Sequence, residues 1–190
     1  MGGIFYFMYN QPHFTLFKRE SFQTAFVDLL YEKEFKDISV QEICDKALIN
    51  RNTFYKYYSG KSGLAGKMIS EFKQDYAGLL HKRLSAPDVR TVMKELMPEL
   101  YEKRRVLLAL WRVETRRHRL FYEMQGLLRN AFMAQAERKF PEKTKNWDFQ
   151  ATLFATCILT TLRFYFEQNI LPPVEQVQAD WREMFEIIGI

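Results

Sequence analysis

The apolar positions of this chain fall at helical spacing almost from end to end. Over residues 18–33, Phe22, Ala25, Phe26, Leu29 and Leu30 recur at steps of three and four, which predicts an amphipathic helix. Residues 34–38 break the pattern. Ser39-Val40-Gln41-Glu42 then forms a capping box, with Ile38 and Ile43 at the staple positions on either side. A short helix to about Ala47 follows, placing Val40, Ile43, Cys44 and Ala47 on one face. A second start comes at once: Asn50 is a good N-cap, flanked by Ile49 and Phe54 at staple positions, and it opens a helix over residues 51–58. Ser59-Gly60 ends that helix and a long one runs over 61–84. Pro87, Pro141 and Pro172-Pro173 punctuate the remainder, predicting helices over 89–103, 104–118, 120–139, 147–168 and 174–188. No stretch alternates with period two for long enough to make a sheet, so the chain reads as all-α.

Two short capped helices about three residues apart, with a helix before and after, have the spacing that a helix-turn-helix requires. Charge sharpens this reading. The net charge is +5, but the last fifty residues are mildly acidic. Between Asp45 and Glu71 there is no carboxylate, whereas Lys46, Arg51, Lys56, Lys61 and Lys67 all fall there. Such a basic stretch suits polyphosphate, although a solvated helix face gives the same composition. Cys44 and Cys157 sit in apolar helical patterns without metal-ligand spacing and read as reduced thiols of a cytoplasmic protein. No run is long and apolar enough to cross a bilayer.

Catalysis finds little support. His13, His81 and His118 are dispersed, and Glu114 with His118 lacks the Glu-x-x-His spacing of metal bundles. Phosphate loops, nucleophile elbows and Cys/His metal spacings are missing from the sequence, so no cofactor or metal is expected.

Over residues 21–68, and above all at Ser39–Lys61, the sequence resembles the TetR family of transcriptional regulators. The stretch Ile38 to Ala47, then Ile49-Asn50-Arg51-Asn52-Thr53-Phe54-Tyr55-Lys56-Tyr57-Tyr58, with Lys61 and Leu64, carries the likeness. Two positions depart from it: Leu48 and Glu34 stand where the family usually has glycine. A non-glycine residue at positive φ costs on the order of 1 kcal/mol, so Leu48 is expected in a somewhat different turn.

The resemblance implies a helix-turn-helix DNA-binding domain over 18–66 and a helical effector-binding and dimerisation bundle over 67–190. Residues 1–17 form an extra segment of unclear role. Arg51 and Asn52, foremost on the recognition helix, have the chemistry to read guanine and adenine, and Thr53 suits a thymine methyl or a phosphate. By resemblance Tyr55, Lys56, Tyr57 and Lys61 bind phosphates, Ser39 and Gln41 meet the DNA backbone beside the first short helix, and Asn50, which opens the second, belongs to the same DNA-binding set. The helix over 147–168 is apolar nearly all round, which implies burial on two sides. The resemblance supplies the second side: the last two helices of a partner copy, in a homodimer reading a palindromic operator in double-stranded DNA. Trp111, Phe121, Tyr122 and Phe154 are candidate walls of a pocket for an unknown small-molecule effector, and Arg112, Arg116 and Arg119 share a helical face that is either an anion site or a solvated stripe. The expected function is a repressor released by that effector, acting without a membrane. The alternatives are a co-regulator acting through a protein partner, and a helical enzyme.

Overall fold

The computed structural model describes residues 12–83, 89–142 and 146–187, and within these every regular element is helical. In chain order they are α1 (Pro12–Glu32), a 3₁₀ turn (Phe35–Asp37), α2 (Val40–Ala47), α3 (Arg51–Phe54), α4 (Lys61–Arg83), α5 (Val89–Glu102), α6 (Arg104–Trp111), α7 (Leu120–Lys139), α8 (Asp148–Glu167) and α9 (Val174–Ile187). They form two compact units. The first takes the chain up to Glu71 together with Ala109–Arg119, and the second takes Phe72–Leu108 and the chain from Leu120 onward. The change of unit therefore falls inside α4, and residues 109–119 group with the first unit.

In the first unit α1 buries the five residues its periodicity selects: Phe22, Ala25, Phe26, Leu29 and Leu30. It begins at Pro12, six residues earlier than the apolar pattern suggests. Proline favours the first turn of a helix, because its fixed φ fits there and its missing N–H has no partner to lose. Of the N-terminal segment set apart in the sequence, residues 12–17 are thus helix, and residues 1–11 lie outside the described residues.

Leu48 closes α2 at φ 56°, ψ 34°. It holds the left-handed conformation that a glycine would take, contrary to the expectation of a different turn. Its N–H donates to the carbonyls of Asp45 and Cys44, and Ile49 N–H reaches Cys44 O, so the helix end is satisfied while the side chain points into solvent. The long α4 carries Leu64, Ala65, Met68 and Ile69 into the core of this unit. Gly66 leaves room for His118: a Cβ there would come within 2.6 Å of the imidazole Cε1.

Past Trp111 the helix of α6 stops. Residues 112–119 form a turn in which Thr115 accepts from the amides of Arg117 and His118. The shared helical face expected for Arg112, Arg116 and Arg119 therefore does not exist. The Arg112 and Val113 amides turn back three residues to Ala109 and Leu110, and the Thr115 hydroxyl then holds two later amides out of a helix.

In the second unit α7 and α8 lie along one another. Met124, Leu128 and Ala136 of α7 and Ala151, Ala155, Ile158 and Leu159 of α8 are buried, and the Phe132 and Phe154 rings are 5.2 Å apart. Gln125 Nε2 donates to Thr156 Oγ1 at 2.8 Å, and Arg129 pairs with Asp148. The C-terminal end of α8 is tied down by Tyr101, whose hydroxyl donates to the Asn169 carbonyl, and by Arg104 on the Asn169 side chain at 3.2 Å.

A candidate nucleic-acid interface on the second short helix

The site grows out of two separately capped starts. At Ser39 both arms of the capping box are made: Glu42 N–H donates to Ser39 Oγ at 3.2 Å, and Ser39 N–H donates to Glu42 Oε2 at 2.9 Å. Lys33 also pairs with the Glu42 carboxylate. That ammonium, followed by the Ser39 amide and hydroxyl, holds the Glu42 pKa down to about 2. At Asn50 the side chain accepts from Asn52 N–H at 2.7 Å and opens α3. The α-helix proper lasts only to Phe54, after which Lys56 and Tyr57 N–H bond three residues back to Thr53 and Phe54. The helix expected over 51–58 thus tightens into a 3₁₀-like last turn.

Phe54 fixes α3 on the domain. It is fully buried, edge-on to Phe22 at 5.2 Å and against Tyr58 at 5.4 Å. With that side inward, Asn50, Arg51, Asn52, Tyr55 and Lys56 are exposed, and Thr53 and Tyr57 are half-buried. Arg51 Nη2 donates to Tyr55 Oη at 3.1 Å. On α2, Gln41 is exposed and its amide donates to Asp45 at 2.7 Å. The residues expected to meet DNA all lie in the first unit, but not all in the same capacity.

Lys61 is the clearest exception. Its Nζ donates to three backbone carbonyls, Phe35 at 2.9 Å, Lys36 at 2.7 Å and Ile38 at 2.6 Å, and lies 5.0 Å from the Phe35 ring centroid. An ammonium has three N–H groups, and all three are spent. The phosphate contact read for Lys61 gives way to a clamp that ties the first turn of α4 to the loop before α2. Ser39 is similarly committed: its oxygen accepts within the capping box and its O–H donates back to Glu42 at 2.9 Å.

Lys18 is the residue the sequence reading passed over. Among the described residues it is the charged side chain that is buried, on the inward face of α1 four residues before Phe22. Burial, and then the neighbouring Lys56 cation, push its ammonium below the usual lysine value. The signal was a lysine in phase with an apolar stripe, and that phase was legible.

Of the four candidate pocket residues, Trp111 belongs to the first unit and Phe121, Tyr122 and Phe154 to the second. Trp111 is buried. Phe121 and Tyr122 are at the start of α7, Phe121 under Arg163 at 5.0 Å and Tyr122 largely exposed. Phe154 lines a cavity of about 60 Å³, with Met97, Ile158, Pro172, Val177 and Trp181 among its other walls.

Both cysteines are free, Cys44 buried and Cys157 half-buried. Among the described residues no three His, Cys, Asp or Glu side chains are grouped to hold a metal ion, and no helix is long and apolar enough to cross a membrane.

Solved structures share this architecture along most of their length. A transcriptional regulator (TerR/AcrR family) from Aquifex aeolicus VF5 aligns over 90% of this chain and 99% of its own, with a TM-score of 0.62 at 20% identity. The chain has the TetR/AcrR fold. A gamma-butyrolactone receptor (ArpA-like protein) aligns over 87% of this chain and 98% of its own, with a TM-score of 0.59 at 15% identity. SmeT, in its complex with triclosan, aligns over 80% of this chain and 79% of its own at 15% identity and a TM-score of 0.55. No protein-family model matches the sequence, and neither does any curated protein. The TetR/AcrR fold comprises an N-terminal helix-turn-helix and a C-terminal helical domain, as expected here.

Proposed function

We propose that this protein is a DNA-binding transcription regulator, a homodimeric repressor whose hold on its operator is released by a small molecule. The observation that carries the reading is the outward side of α3: Arg51 and Asn52 stand exposed on a helix seated by a fully buried Phe54, in a stretch without carboxylates. Arginine matches guanine O6/N7 and asparagine matches adenine N6/N7, each worth about 1–3 kcal/mol of discrimination when bidentate. Thr53, Tyr55, Lys56, Tyr57 and Gln41 then meet thymine methyls or phosphates, while Asn50, Ser39 and Lys61 hold the helices that present them.

One α3 is too short for useful specificity, so the reading needs two copies spaced about 34–36 Å apart, one turn of DNA. The pairing surface is the outer side of α8, where Phe149, Leu153 and Phe164 are exposed, together with α9. An apolar row of this kind on a helix marks an interaction surface. Sensing belongs to residues 67–190, in keeping with the SmeT complex with triclosan, a small molecule. A co-regulator working through a protein partner is the second reading, favoured by the small volume of the cavity beside Phe154.

Selection of bound sequences from random duplex DNA tests the proposal. The expected product is a palindrome, and Arg51→Ala is expected to lose affinity for it while binding scrambled duplex as before. Recovery of no preferred sequence would overturn the reading.

A further inference from the structure

Tyr55 caps the second short helix four residues after Arg51, still in the right-handed helical conformation, so their side chains share a face. The guanidinium donates to Tyr55 Oη at 3.1 Å, and its Cζ lies 5.5 Å from the ring centroid. The tyrosine ring is itself fixed, edge-on to Phe54 at 5.6 Å and 88°. Phe54 in turn is locked against Phe22 and Tyr58. A continuous run of aromatic contacts thus leads from the core of the first unit to an arginine that is otherwise in solvent. A long exposed side chain must surrender rotamer freedom when it binds, and contacts that order it beforehand reduce that cost.

We infer that Tyr55 is a positioning residue, which presets the Arg51 guanidinium for one base pair and so sets sequence specificity through Arg51. The inference rests on the base-reading role proposed above. It is separable from a phosphate contact by Tyr55, because a hydroxyl that accepts from Arg51 still has its own O–H to donate. A phosphate contact helps every sequence alike, whereas positioning helps only the sequence that Arg51 reads.

The test uses the full chain, the palindrome recovered by selection, and duplexes with each base pair of the half-site changed singly. Arg51→Ala identifies the base pair whose discrimination it abolishes. Tyr55→Phe keeps the ring and removes Oη; it is expected to lower discrimination at that same base pair about five- to tenfold, the scale of one lost charge-assisted hydrogen bond. Discrimination elsewhere and the melting temperature should not move, and the Arg51→Ala/Tyr55→Phe double variant should discriminate no worse than Arg51→Ala alone. The inference is overturned if Tyr55→Phe weakens all duplexes equally with discrimination intact, if it tightens binding by freeing a parked arginine, or if the two substitutions add. Failure of the underlying reading looks different: no palindrome is selected, or Arg51→Ala keeps full discrimination.

Discussion

Two exposed helix surfaces in this chain follow opposite rules. Around α3 the outward side chains are Arg51, Asn52 and Lys56, polar or cationic, with the hydroxyl-bearing Tyr55 beside them, above the buried rings of Phe54 and Tyr58. Along α8 the order is reversed: small and aliphatic residues such as Ala151, Ala155 and Leu159 fill the inside, and the large rings of Phe149 and Phe164 stand outside, 73% and 59% exposed. Rings left in water are unfavourably hydrated, so the α8 side would gain from being covered, whereas the α3 side is stable bare and would gain from a polyanion. The two surfaces therefore differ in the chemistry that would suit each of them.

The contrast is broken most severely at the seat of α3. Phe54→Ala removes a fully buried ring and is expected to destabilise the first unit by about 3–5 kcal/mol, read as a drop in the denaturant midpoint. A loss under 1 kcal/mol would mean that α3 does not depend on this seat. On the other surface, Leu153→Glu with Phe164→Glu is expected to weaken self-association by about 2–4 kcal/mol while leaving the helical content unchanged. Sedimentation equilibrium decides it, and an unaltered dimer fraction would move the interface elsewhere.

A subtler test uses pH. Glu42 is depressed from 4.5 to about 2 by Lys33 and the Ser39 groups, so its contribution to stability is complete above pH 4.5 and drains away as pH falls towards 2. Glu42→Gln should therefore flatten the acid limb of the stability profile in that window and leave the slope at neutral pH untouched. Superimposable profiles would show that the carboxylate is not held. The smallest effect is expected at Leu48. Its left-handed backbone carries a side chain that is 91% exposed, and Leu48→Gly should raise stability by something under 1 kcal/mol, the relief of strain being partly offset by the extra freedom of glycine in the unfolded chain. A clear loss would show that the leucine makes contacts worth keeping.

Much of the first unit was legible because its signals are local. The capping box needs only Ser39 and Glu42 three residues apart, and the stripe from Phe22 to Leu30 needs only its period. What escaped depends on tertiary geometry. Three carbonyls converge on Lys61 from a loop more than twenty residues earlier, which no spacing rule encodes. The end of α6 was hidden because 112–119 is rich in arginine, a good helix former, while the amides of Arg112 and Val113 turn back three residues and Thr115 then holds two more. The pocket residues were chosen by size and aromaticity, and those properties serve a core as readily as a cavity. Lys18 shows the converse, a visible pattern that was not weighed.

The placement of Trp111 has a spectroscopic consequence. Of the three tryptophans, Trp111 is buried among the helices of the first unit, whereas Trp147, stacked on Phe140, and Trp181 belong to the second. Replacing the latter two with phenylalanine leaves an indole whose emission follows one unit alone. Set beside far-ultraviolet dichroism, which sums over all the helices, that single fluorophore tells whether the two units melt as one cooperative body or in succession.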